Sequence, residues 1–399
     1  MNDKPALLGN QPVFAQKLPL VRPVLPSFAD LEDDIRRILS SGMVTKGAQL
    51  AAFERDVATH VGADHAVGVS SCTTGLMLSY KGLGLTGEVI CPSFTFMATV
   101  SALVWAGLRP VFADIHRDTT NIDAASVRAR IGPRTSAVVA THNFGNPADI
   151  AELAELCQRH RLKLIFDAAH GLGSLYQGRA VGSQGDVQVF SLSPTKLVIA
   201  GEGGMVTTND PQLAESVRSG REYGNDGHYG SRFAGVNGRM PELSALLGRN
   251  SLRDVESAAT RRNEVVGQVK SALVDVPGLD FQRVGAGNRS SYKDLALIVH
   301  PPEFGLSRDQ FAAALRAENI DTRNYYDPPV HRHDAYRAFY DAAAPLPHTD
   351  FLASNIICLP IWSNMDDGTV SLMCRAIRRI HDHAAGLREH FPGADRGTG

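Results

Sequence analysis

Seven short β-branched or apolar runs recur between helical stretches over residues 65–208: HAVGVS (65–70), EVICP (88–92), PVFADI (110–115), SAVVATH (136–142), LKLIFD (162–167), DVQVFS (186–191) and GGMVTT (203–208). Such alternation predicts an α/β fold with a large, mostly parallel seven-stranded sheet and helices on both faces. Two crossover helices are legible. ADIAELAELCQRH (148–160) spaces Ile150, Leu153, Leu156 and Cys157 at helical intervals, and PQLAESVRS (211–219) opens on a proline suited to a first turn.

Beyond about residue 250 the pattern changes. An Arg-rich helical stretch, LRDVESAATRRNEVVGQVKSAL, leads to a strand candidate, DLALIVH (294–300), an amphipathic helix around 307–318 and a final helix near 367–387. At 399 residues the chain exceeds the usual single-domain size. The reading is an N-terminal segment (1–30), a large domain (31–250) and a smaller C-terminal α/β domain (251–399). The glycine-rich YGNDGHYGSRFAGVNGRM (223–240) reads as a loop crossing a surface or subunit boundary, and the closing PGADRGTG as a frayed end.

Composition excludes several function classes. The formal net charge is −2 with no long run of one sign, which argues against a nucleic-acid partner. Five widely spaced cysteines form no CxxC pair or Cys/His zinc spacing, so reduced thiols and no metal are expected. The N-terminus lacks a signal-peptide core and no segment reaches the roughly 18 apolar residues of a membrane span. The expectation is a cytoplasmic protein without a membrane partner.

The stretch from Leu164 to Asp210 carries the chemistry. Asp167 ends one strand, Ser191 ends the next, and Lys196 follows before a glycine-rich turn. In open α/β sheets ligands gather at the carboxyl ends of strands. A lysine for a Schiff base, an acid for a ring nitrogen and hydroxyls for a phosphate are what pyridoxal 5′-phosphate requires. Alone, Asp167 would more often cap a helix; Lys196, 29 residues on and set among apolar residues that lower an amine's pKa, reverses that balance. The Ser71-Cys72-Thr73-Thr74-Gly75 turn before a helix offers a second anion site, though by itself such a turn is usually an N-cap.

In order along the chain, SSCTTGLMLSYKGLG, EVICPSFTFMATVSALVWAGLRPVFADI, FDAAHGLGSLYQGRAVGSQGDVQVFSLSPTK, GEGGMVTTND, GVNGRMPELSALLGR and CLPIWSNMDD resemble the sugar aminotransferases of the DegT/DnrJ/EryC1/StrS family, over about residues 25–385. The resemblance implies the aspartate-aminotransferase-like architecture called fold type I. It implies that Lys196 carries the cofactor and shuttles protons, Asp167 pairs with the pyridine nitrogen, Ser191 and Thr73 bind phosphate, and Phe96 stacks on the ring. His170 would lie near the phenolic oxygen. Asn237, in GVNGRM, would reach the phosphate of a neighbouring subunit, making a homodimer with shared sites. Arg323, Tyr325 and His331, in TRNYYDPPVHRHDAYR, fall in the family region that helps bind the substrate's nucleotide. Two departures stand out: Cys72 replaces the family's usual glycine beside the phosphate, and Gly238 a frequent tyrosine.

The activity implied is transfer of an amino group from an amino acid, usually glutamate, to a nucleotide-linked keto-deoxysugar. GEGGMV and the SCT turn look more like the branch aminating the sugar 4-position than the 3-position. A keto-cyclitol aminotransferase would share every cofactor contact, and a non-catalytic cofactor-binding regulator is the alternative from another class. Lys196 argues against the dehydrating relative that has histidine at this position.

Overall fold

The computed structural model describes residues 3–225 and 227–391; PGADRGTG (392–399) lies outside the described residues. All seven runs form strands: β1 (His65–Val69), β2 (Glu88–Pro92), β3 (Arg109–Ala113), β4 (Thr135–Thr141), β5 (Lys163–Asp167) and, after a two-stranded ribbon of β6 (Leu175–Tyr176) and β7 (Arg179–Ala180), β8 (Val187–Ser191) and β9 (Gly204–Thr208). Their order is β1-β9-β8-β5-β4-β2-β3. The pairs among β2, β3, β4, β5 and β8 are parallel, and β9 runs antiparallel to β1 and β8.

Successive side chains of a strand point to opposite faces. Ile90, Val138, Phe166 and Phe190 accordingly pack with α2 (Ala48–Val61) and the helix Ile150–His160, behind α1 (Phe28–Ser41) in the chain. Their neighbours Val89, Val139, Ile165 and Val189 pack on the other face with α3 (Cys72–Gly82), α4 (Met97–Trp105) and the helix Pro211–Gly220. The register aligns Thr141 with Asp167, and Gly204 with both Ser191 and Val69. The carboxyl ends of β1, β4, β5 and β8 therefore meet at one edge.

A second, antiparallel sheet has the order β10 (Leu279–Phe281), β11 (Leu295–Val299), β12 (Ile356–Leu359). The helices Val255–Ala272, Arg308–Ala317 and Asp367–Asp382 share its apolar cluster. Arg308–Ala317 opens on a capping box between Ser307 and Gln310. The final helix expected near 367–387 is two helices, Asp367–Asp382 and Ala384–Glu389, because His383 leaves helical geometry and its ring bonds the Arg379 carbonyl at 3.0 Å.

The N-terminal residues pack on this second cluster. The N–H groups of Ala6 and Val13 donate to the two oxygens of buried Glu318, both at 2.9 Å, while Arg379 pairs with the same carboxylate. Leu18 bridges Ile320 and is itself buried. The glycine-rich loop crosses the surface, held by backbone bridges between Glu222 and Asn237 and between Asn225 and Ser231. All five cysteines are buried and unbridged. Among the described residues no helix is long and apolar enough to cross a membrane.

Candidate active site

A cavity of about 300 Å³ opens where the strand ends converge. At one end stands α3. Ser71 caps it in extended conformation, its Oγ accepting from the Thr74 N–H at 3.1 Å, and Cys72 and Thr73 form the cavity wall beside it. A helix start carries partial positive charge and unpaired N–H groups, so this end favours an anion. Gly204 makes the turn possible: a Cβ there would lie 2.5 Å from the Ser71 carbonyl carbon and 2.6 Å from the Cys72 nitrogen.

Asp167 lies deeper, 7% exposed. Thr99 donates to its Oδ2 at 2.6 Å and the Ala169 N–H to its Oδ1 at 3.1 Å. Burial raises its pKa, while Thr99, the Ala169 N–H and the charge of Lys196 pull it back. The Cys72 thiol faces the same carboxylate at 3.8 Å. Burial, with Asp167 adding, pushes that thiol well above its ordinary value and leaves it unreactive.

Lys196 sits on the turn after β8, its N–H bonded to the Ser193 carbonyl. Burial lowers its amine to about 8, and the nearby charge of Lys293 adds to the effect. His170 accepts from the Phe144 N–H at its Nδ1, which assigns the proton to Nε2. Burial, then the charges of Lys196 and Lys293, hold it well below the usual histidine range, so the ring is neutral.

Cys72, Thr73, Phe96 and Asp167 thus share one cavity with His170, Ser191 and Lys196. Asn237 does not line it; its side chain is exposed on the surface loop. Tyr325 and Tyr326, with Phe96, separate this inner cavity from an outer one of about 440 Å³ whose wall includes Arg316, Arg323 and His333. Of the three residues expected at the nucleotide, Tyr325 lines both cavities and Arg323 the outer one. His331 reaches neither: it is buried, Ser93 Oγ bonds its Nδ1 at 2.7 Å, and Tyr340 packs against its ring at 4.7 Å. The turn carrying it is held beneath Ser93 instead of facing the cleft.

Thr99, Glu202, Tyr326 and the buried Lys293–Asp294 pair also belong to the site and were not expected from the sequence. Thr99 stands three residues after Phe96, close to one helical turn, and Lys-Asp directly precedes an apolar strand. Those were the available signals.

Residues 28–378 match the model of the DegT/DnrJ/EryC1/StrS aminotransferase family. The chain belongs to this family. A solved structure described as DesI in the presence of its TDP-sugar product superimposes with a TM-score of 0.90 at 36% identity, covering 98% of this chain and 99% of that one. The dTDP-3-amino-3,4,6-trideoxy-alpha-D-glucose transaminase of Streptomyces venezuelae is 34% identical over 88% of this chain and 92% of its own length. The dTDP-4-amino-4,6-dideoxy-D-glucose transaminase of Escherichia coli is 28% identical over 88% of this chain and 96% of its own. The protein is a sugar aminotransferase of fold type I.

Proposed function

We propose that this aminotransferase uses pyridoxal 5′-phosphate to move an amino group from an amino acid, glutamate, to the 4-position of a nucleotide-linked keto-deoxysugar. The observation that carries the reading is a lysine amine lowered to about 8 in the same cavity as a buried carboxylate and a helix N-terminus. That donor set fits the cofactor: Thr73, Ser191 and the start of α3 for its phosphate, Asp167 for its ring nitrogen, Phe96 for its face, His170 Nε2–H for its phenolic oxygen and Lys196 for its aldehyde. When bound, the cofactor supplies an electrophilic carbon and an electron-withdrawing ring.

The chain's own groups do the rest. Lys196 Nζ, half deprotonated near pH 8, takes a proton from the donor's α-carbon and delivers one in return; the second half-reaction runs the same movement in reverse. Asp167 holds a proton at the ring nitrogen, and Thr99 keeps the carboxylate ionised and aimed. Tyr325 and Tyr326 screen this chemistry from the outer cavity, where Arg323 meets the nucleotide. With this reading go a homodimer in which Asn237 of the partner subunit completes the phosphate site, the division into 1–30, 31–250 and 251–399, and a cytoplasmic location. The exposure of Asn237 supports the shared site, and the separate apolar clusters behind the two sheets support the division.

Amination at the 4-position is supported by the likeness to the Escherichia coli dTDP-4-amino-4,6-dideoxy-D-glucose transaminase. Amination at the 3-position is the second reading, favoured by the Streptomyces venezuelae relative, which is the more similar of the two. Borohydride reduction followed by peptide mass spectrometry, with single-turnover transfer to a panel of nucleotide-linked 4-keto and 3-keto sugars, tests both. Cofactor mass on Lys196 with amination of a 4-keto sugar is the expected result; labelling elsewhere sinks the mechanism, and transfer only to a 3-keto sugar replaces the regiochemistry.

A further inference from the structure

Two ammonium groups line the inner cavity, and the reaction above uses one of them. The other, Lys293, precedes β11 and has a side chain only 5% exposed. Its N–H donates to the Phe144 carbonyl at 2.9 Å, and Phe144 donates in turn to His170, so one residue fixes both cavity groups. The Lys293 Nζ bonds Asp294 Oδ1 at 2.8 Å and lies 5.5 Å from the centre of the Tyr325 ring. Asp294 is buried as well, and its Oδ2 has no hydrogen-bond partner among the described residues.

An ammonium carries three donors. Asp294 engages one, and no other side-chain acceptor among the described residues bonds the remaining two. The other formal charges on this wall are Asp167, Lys196 and Glu202. With the cofactor bound, Asp167 would be taken up by its ring nitrogen and Lys196 by its aldehyde and by proton transfer. An amino-acid donor brings a carboxylate into the same space, where burying it without a counter-charge is costly. Lys293 is the remaining cation of this wall. The sugar ring offers it no charge, and Arg316 and Arg323 in the wall of the outer cavity would meet the diphosphate of the acceptor.

We propose that Lys293, oriented by Asp294, binds a carboxylate of the amino-acid donor and so selects an amino acid over a simple amine in the first half-reaction. The proposal rests on the aminotransferase reading above.

The test compares cofactor-loaded wild type, K293R, K293M and K293M/D294N. Two quantities are measured: calorimetric binding of glutarate, a dicarboxylate that has no amine to react, and the rate of each half-reaction in single turnover. K293M should weaken glutarate binding and lower the glutamate half-reaction by about tenfold or more, the loss of a charge-assisted contact. The sugar half-reaction should change by less than about threefold, and K293R should retain most of the donor binding. K293M leaves Asp294 buried without its partner, so the double variant separates loss of the carboxylate contact from misfolding and should show the same split. Unchanged glutarate binding, or an equal fall in both half-reactions, overturns the proposal while leaving the aminotransferase reading in place. A wild type that no amino acid converts overturns that reading itself, and the proposal with it.

Discussion

Thr99 Oγ1 donates to Asp167 Oδ2 across 2.6 Å, joining the first turn of α4 to the end of β5. Thr95 stands behind it, its hydroxyl 2.9 Å from that of Thr99. This is the shortest bond on the carboxylate, and it opposes the burial that would otherwise neutralise the group. T99V removes the hydroxyl and nearly preserves shape, so the Asp167 pKa should rise further and kcat/KM should fall by about tenfold, with T99S close to wild type. The pH dependence of the cofactor's absorption separates this from a packing defect: T99V should shift it, and a purely structural role would not.

Lys196 sets a second expectation. Its pKa is lowered from 10.5 to about 8, so cofactor-free protein should capture pyridoxal phosphate at a rate that climbs through pH 8 and then levels. Stopped-flow absorbance reads this directly, and a rate still climbing toward pH 10.5 would contradict it. The linkage has a definite sign. A base whose folded pKa is depressed penalises the fold while it is charged, fully below pH 8, and the penalty fades as pH rises from 8 toward 10.5. Cofactor-free wild type should therefore gain stability over that window relative to K196M.

Gly204 underlies the turn that starts α3. In G204A the new methyl would meet the Ser71 and Cys72 backbone inside 3 Å, and neither atom can swing away as a side-chain end could. The turn must shift, at a cost of about 1–3 kcal/mol. Thermal unfolding should fall by several degrees, and equilibrium dialysis should show pyridoxal phosphate bound more weakly by about tenfold.

Glu318 governs the other cluster. Its carboxylate is fully buried, and replacing it by alanine strands Arg379 and two backbone N–H groups together. E318A should destabilise the protein by about 3–5 kcal/mol, measured by urea unfolding. Limited proteolysis should then cut within the first 20 residues before anywhere else.

The parts of the site that local sequence reveals are those built by a strand and the turn after it. Asp167, Ser191 and Lys196 lie on β5, β8 and the following loop, so a short apolar run and its punctuation were enough to place them at one edge. Phe96, Thr73 and His170 came from motif resemblance and also reached the cavity. Thr99 and Lys293 did not show themselves, because each acts across the fold: Thr99 meets Asp167 over a separation of 68 residues. Lys293 stood one residue outside the strand read at 294–300. His331 was placed by the family region in which it falls, and such a resemblance does not say which way each side chain of the segment turns. Its direction was decided by Ser93, on a different strand connection.

The N-terminal arm has a consequence for biosynthesis. Residues 6–18 are held in place by Glu318, Arg379 and Ile320, partners that are synthesised some three hundred residues later. Domains generally fold as they emerge, N-terminal parts first. Here the stretch that holds the apolar Val13, Phe14 and Leu18 has to wait while some three hundred residues are added, roughly 15–60 s at ordinary elongation rates. During that interval its apolar side chains have no partner on the nascent chain, and this part of the molecule closes only when Glu318, Ile320 and Arg379 have been added.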